Sequence, residues 1–473
     1  MKKLNILLVS LSLMCAVSCG DDFLDRKPLG QSTEGDLTEG GLQADVFGMY
    51  AKLRTQAGVS NWTRYWFQSI RSDDAAKGSS ATDASEMGTI MDNFQYTKVK
   101  GEANDNWSGH YNVIYDCNAI IAKSQNLTDN GSLINRAEAQ AVRGFLFFDL
   151  RRDYGEIPLV TNQINNPQDV IKAKSTIAQV DAQIKADLLA AAAVLPVSWL
   201  GQEGRATSGM AKSYLAKLAL YQGNWSEALQ YAEEVINSGA YSLNPNYDKL
   251  FFEESDNGTE SIWEIQFARI GGVNYSNNYW ESQGIRGAGT WDLGWGFNVP
   301  TTNLINAYEA GDKRKAATIL EEGTNDGFGN NLPINLDQKY WNKKAYTVPS
   351  RRTLEGENKN HWTNIKILRY ADVLLIASEA ALQSGNVAKA TTYLNMIRTR
   401  AGLGNVTATL AAIKQERRVE FGMEGERFYD LVRWGDAVSV LGTLGYQDKN
   451  KYYPFPQTAV DQSGGVLVQN PNY

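Results

Sequence analysis

The chain has 473 residues, 43% of them hydrophobic, enough to bury a large core, and length alone suggests about three domains. Its formal charge of −7, with basic residues mostly in isolated pairs such as Arg151–Arg152, Arg351–Arg352 and Arg417–Arg418, argues against a nucleic-acid backbone as partner. Only two histidines, His110 and His361, occur, and no phosphate-binding glycine loop does, so His-based metal sites, Ser/Cys-His nucleophiles and the usual nucleotide motifs have no material; aromatic rings are abundant instead, with 12 Trp, 23 Tyr and 15 Phe.

Lys2 and Lys3 precede an apolar run from Ile6 to Ala16, the layout of a secretory signal peptide and shorter than the roughly 20 apolar residues a spanning helix needs. Cleavage after residue 18 would remove Cys15 and leave Cys19 at the new terminus and Cys117 in the body, which argues against a disulfide framework. Cys19 is best explained as the lipidated first residue of a bacterial lipoprotein, although Ala16 and Ser18 stand where that signal usually has Leu and Ala or Gly. Cys117 lies in a helical pattern and reads as a small buried apolar residue.

Leu42, Val46, Met49 and Leu53 share one helical face. From about 58 to 101 the chain is rich in Ser, Asp and Gly and studded with aromatics, which predicts long loops. Helical periodicity returns over 104–154 as a hairpin, and Thr176 with Gln179 forms a capping box for a helix that Pro196 ends. "AKSYLAKLALYQGNWSEALQYAEEVI" and "DVLLIASEAALQSGNVAKATTYLNMI" then align as an internal repeat, Gly223–Asn224 with Gly385–Asn386 and Tyr231 with Tyr393. Such hairpins, at about 209–239 and 367–402, must stack on neighbours to cover their apolar faces, in the manner of tetratricopeptide units. Between them, 241–365 is Gly-rich and aromatic with one strand-like stretch, "SIWEIQFA", and its aromatic density argues against disorder.

The last hairpin, about 410–436, reads "ERRVEFGMEGERFYDLVRWGDA". Arg417, Glu420, Phe421, Glu424, Gly425, Arg427, Phe428, Asp430, Leu431, Arg433, Trp434 and Gly435 match the C-terminal motif of the SusD/RagB-like outer-membrane lipoproteins, and "SCGDDFLD", "NDNWSGHYNVIYDCNAII" and "YPFPQTAVDQSGGVLVQNPNY" agree with it. The chain therefore resembles that family over nearly its whole length. The resemblance implies a mostly α fold, with about four tetratricopeptide-like hairpins packed against an irregular, loop-rich ligand-binding part, as a single SusD-like domain over 19–473. It also implies a surface lipoprotein, held at the outer membrane through its lipid anchor, that captures an oligosaccharide or a peptide and closes as a lid over a TonB-dependent transporter of the SusC type.

Family members take ligand from two loop regions, so the candidates are carried over by region only. The first contributes Asn61, Trp62, Tyr65, Trp66, Arg71, Asp73 and Asp74, and the second Asn278, Tyr279, Trp280, Arg286, Trp291 and Trp295. Rings offer planes to sugar C–H faces, and planar polar side chains offer hydrogen bonds to hydroxyls. Trp107, Trp225, Trp263 and Trp434 sit in periodic patterns and read as core. Glu420, Glu424, Arg427, Asp430 and Arg433 read as an ion-pair network rather than catalysts, so no catalytic residue is assigned. A surface glycoside hydrolase using Asp73 or Asp74, and a pure protein scaffold, stand as rival readings. No cofactor is expected; "EESDNGTE", Glu253 to Glu260, has the oxygen ligands for a structural calcium without full EF-hand spacing.

Overall fold

A computed structural model describes residues 39–100, 103–270, 273–352 and 362–473; Cys15, Cys19 and His361 lie outside them. No helix among the described residues is long and apolar enough to cross a membrane.

The fold is mostly α. Helix α1 (Glu39–Thr55) is followed by the short α2 (Thr63–Gln68) and strand β1 (Ala75–Gly78), so part of the region read as loop is regular. Helices α3 (Ala103–Ser124), α4 (Asn130–Tyr154), α5 (Ile177–Val194), α6 (Ser208–Tyr221) and α7 (Trp225–Asn237) pack each on the next. The helix after Thr176 thus joins the first hairpin to the repeat, and its capping box is formed: Gln179 N donates to Thr176 Oγ1 at 3.3 Å and Thr176 N to Gln179 Oε1 at 2.9 Å. The aperiodic segment then supplies β2 (Ser261–Ile265), β3 (Ala268–Ile270), β4 (Val273–Tyr275), β5 (Phe297–Pro300), α8 (Thr302–Ala307), α9 (Lys313–Thr318), β6 (Ile319–Glu321) and β7 (Tyr340–Asn342). Strand β8 (Ile365–Arg369) runs into α10 (Tyr370–Gln383), which packs on α7, α11 (Val387–Ala401) and α12 (Leu410–Glu420). The short helices α13 (Arg427–Trp434), α14 (Ala437–Leu441) and α15 (Gln457–Gln462) complete the chain.

The strands pair only in antiparallel twos: β1 with β5, β2 with β8, β3 with β4 and β6 with β7. Two of these pairs tie the 241–365 part to other segments, because β1 comes from the 58–101 region and β8 runs directly into α10. In the repeat, the left-handed Gly223 (φ 70°) and Gly385 (φ 82°) turn the chain, and Asn224 and Asn386 cap the following helices through Glu227 N and Lys389 N.

One large core runs through the helices, with α4 buried along most of its length. Trp263 lies inside it, whereas Trp107, Trp225 and Trp434 are only half-buried against their neighbours. Cys117 is buried, its thiol within hydrogen-bond reach of Met49 Sδ at 3.4 Å. His110 is also buried, with Nδ1 2.7 Å from Asn106 O.

Candidate functional site

The two aromatic loop regions meet, but with only some of the expected residues in front. Trp62, at the start of α2, and Trp295, just before β5, are half-buried and pack edge to face, with ring centroids 5.9 Å apart. Trp295 Nε1 donates to Glu281 Oε1 at 3.2 Å, and the half-buried Tyr279 meets Tyr65 edge to face at 6.1 Å. Asn61 Oδ1 accepts from Trp62 N at 2.6 Å, fixing the turn that presents the indole, and Asn278 is exposed beside Tyr279. The segments are tied by Asn277, whose Nδ2 donates to Arg54 O and Ser60 O.

The Arg286 side chain, about 38% exposed, starts beside Gly296, the residue after Trp295. It is ion-paired with Asp83, donates to Ser79 Oγ at 2.8 Å and lies 3.5 Å from Asp337. The 79–84 loop that meets it is strained, since Ser79 (φ 51°) and Ala84 (φ 46°) are non-glycine residues in the left-handed region, at a cost on the order of 1–3 kcal/mol each. It is held by Ser79 N donating to Gly296 O at 2.7 Å, Gln338 Nε2 to Ser79 O at 3.0 Å and Lys77 Nζ to Ser80 O and Asp83 O. Beneath it, burial pushes the Asp92 carboxyl up to about 6 and lowers the Lys77 ammonium. Ser79, Asp83, Glu281 and Asp337 carry no mark in the sequence, because their partners Arg286 and Trp295 are set by tertiary contacts and the left-handed backbone of Ser79 has no residue signature. Trp291 is half-buried under the Arg352 guanidinium, 4.6 Å above its ring.

Five expected contacts are instead structural. Asp73 and Asp74 are buried, not loop-surface acids: Arg427 Nε donates to Asp73 Oδ1 at 2.8 Å, Arg418 Nη2 to Asp73 Oδ2 at 2.9 Å and Arg418 Nε to Asp74 Oδ1 at 2.7 Å. Burial pushes Asp74 up to about 6 against the pull of Arg418. Arg71 is fully buried between the faces of Phe428 and Tyr453, each 4.0 Å from its guanidinium carbon. Tyr65 and Trp280 are core residues, the latter donating from Nε1 to Thr363 O at 2.7 Å. The Trp66 side chain lies outside what the structure describes.

The C-terminal motif is a charged network, as its residue types suggest, but its partners come from distant segments more than from the same helix. Glu420 accepts from Arg400 (2.6 Å), Arg369 (2.9 Å) and Arg314 (3.1 Å), Glu424 from Lys344 (2.6 Å) and Arg369 (2.7 Å), and Asp430 from Arg417 (2.8 Å) and Arg433 (2.9 Å). Burial would raise the Glu420 pKa, but the surrounding guanidiniums hold it well below the carboxylate range. The acids of 253–260 are similarly taken up by protein groups: Glu253 by Arg351 and Trp362 Nε1, Asp256 by Asn364 N and Lys366, Glu260 by Arg369 and Arg400. Among the described residues no group of three or more His, Cys, Asp or Glu side chains is placed to hold a metal ion.

Two family models cover complementary parts of the chain: "SusD family" over residues 259–449 and "Starch-binding associating with outer membrane" over residues 22–220. The chain is a SusD/RagB-like protein. A similar relative, SusD-like protein P2 of Formosa agariphila, is 28% identical over the full length of both chains. Among solved structures, this SusD-like chain resembles a laminarin binding SusD-like protein (TM-score 0.79, 28% identity, 92% of this chain and 99% of that one). It also resembles surface glycan-binding protein A from Bacteroides thetaiotaomicron in complex with laminarihexaose (TM-score 0.77, 26% identity, 92% and 99%).

Proposed function

We propose that the chain is a non-catalytic surface lipoprotein, anchored in the outer membrane through Cys19, that captures an oligosaccharide and passes it to a SusC-like TonB-dependent transporter over which it acts as a lid. The observation that carries the binding role is the edge-to-face pairing of the half-buried Trp62 and Trp295, which brings two indoles together from loops more than 200 residues apart. Each ring contact is worth only about 0.5–1.5 kcal/mol beyond area burial, so two or three rings with charge-assisted hydrogen bonds give the millimolar to micromolar grip that capture and release require. The glycan-binding structural neighbours favour a saccharide over a peptide.

Hydrolysis has little support here. Asp73 and Asp74 are buried against guanidiniums, and a glycosidase acid and its partner need a substrate between them. The test is to incubate the purified protein with laminarihexaose, following retention and product together. Retention without shortening of the hexasaccharide supports capture, and shortening that disappears with Asp73→Asn would replace it with catalysis. Co-purification of a barrel with the full-length lipoprotein, lost in Cys19→Ser, tests the membrane arrangement.

A further inference from the structure

A second cleft, of about 580 Å³, lies between the 247–254 segment, the tip of the β6–β7 connection and residues 343–351. Its volume falls in the range of small-ligand sites, about 300–1,000 Å³. The wall is a ring placed in solvent on a rigid support: Phe328 is 45% exposed at the tip of a tight turn. The fully buried Asp326 builds that turn, its Oδ1 accepting from Phe328 N (2.7 Å) and Asn330 N (3.0 Å) and its Oδ2 from Tyr346 Oη (2.6 Å) and Asn330 Nδ2 (3.0 Å). The flanking Gly327 (φ 89°) and Gly329 (φ 93°) are left-handed, as the reversal demands. Phe252 meets the Phe328 ring edge to face at 5.5 Å, and Tyr346 stacks on it at 6.2 Å.

The ionised side chains lining the cleft are three acids, Asp248, Glu253 and Glu254, and three bases, Lys249, Lys343 and Arg351. That balance favours a neutral ligand over an anion or a cation. A fixed aromatic plane ringed by hydrogen-bonding groups with no net charge suits a molecule with C–H faces and many hydroxyls. Asp248 is exposed, and its carboxylate acts electrostatically on the Lys249 and Lys343 ammoniums at the same cleft.

We infer that this cleft is a second saccharide site, separate from the Trp62–Trp295 rim, with Phe328 as its platform and Asp248 as a hydroxyl acceptor. The ligand class rests on the carbohydrate reading above; the location does not. Titration calorimetry of the full chain with laminarihexaose is expected to give two equivalents for the unaltered protein, one for Phe328→Ala or Trp62→Ala, and none when both are changed. Phe328 sits at a turn tip, so its unfolding midpoint serves as a control, and Asp248→Ala, expected to weaken the second equivalent about tenfold, repeats the test without touching the turn. One equivalent that is lost in Trp62→Ala and kept in both Phe328→Ala and Asp248→Ala overturns the second site and leaves the first. One equivalent lost in Phe328→Ala and indifferent to Trp62→Ala and Trp295→Ala overturns the first and leaves the second. No uptake by the unaltered protein at millimolar sugar overturns both.

Discussion

Glu420→Gln should destabilise the molecule at its charged centre. The carboxylate is fully buried and shared by Arg400, Arg369 and Arg314, themselves nearly or fully buried. Glutamine keeps the shape and removes the charge, leaving the guanidiniums to Glu260, Glu424, Glu416 and Asp312. Removing one partner of a buried pair costs about 3–5 kcal/mol, and because other acids remain nearby we expect about 3 kcal/mol at neutral pH. The pH dependence has a definite sign. Because the folded-state pKa of Glu420 is depressed, its contribution is fully present above the unfolded carboxylate value, about 4.3, and is lost as pH falls below it towards the folded value. The gap between parent and variant should therefore shrink in acid. Urea unfolding followed by tryptophan fluorescence, at pH 7 and at descending pH, reads both quantities. A loss under about 1 kcal/mol at pH 7, or a gap that widens in acid, would refute the reasoning.

Gly109→Ala should destabilise by about 2–3 kcal/mol in the same assay, because a Cβ there would stand 1.9 Å from Ala57 O, where α3 crosses the turn after α1. Gly48→Ala on the exposed face of α1 meets nothing within 4 Å and should stabilise by up to about 1 kcal/mol; equal effects from the two would contradict the packing described. Cys117 should escape iodoacetamide in the native protein and react only in denaturant, since burial raises its thiol pKa and hides it; mass-spectrometric detection of the native adduct would contradict this.

The helical half could be read in advance because its signals are local. Apolar periodicity and a Gly-Asn turn repeated at 223–224 and 385–386 each act within a few residues, and the structure uses them as caps and turns. The site could be read only by region. Asp73 and Asp74 sit in a Ser- and Asp-rich stretch that looks solvated, but their partners Arg418 and Arg427 are 344 to 354 positions away, beyond any local pattern. Trp62 and Trp280 belong to equally aromatic stretches, yet one reaches the rim and the other the core, a choice made by the tertiary acceptor at Thr363 O. Phe328 carries no signal in the sequence, since an exposed ring on a turn acquires meaning only once Asp326, Phe252 and Tyr346 surround it.

The most direct test of saccharide capture on the rim is the dissociation constant of the full chain for laminarihexaose, compared with Trp62→Ala and Trp295→Ala. Loss of one ring plane, about 1.5 kcal/mol, should weaken the rim equivalent at least tenfold in each variant, enough to drop it from a titration at the same sugar concentration, with each variant assayed well below its own unfolding midpoint. Undiminished affinity in both variants would contradict the account.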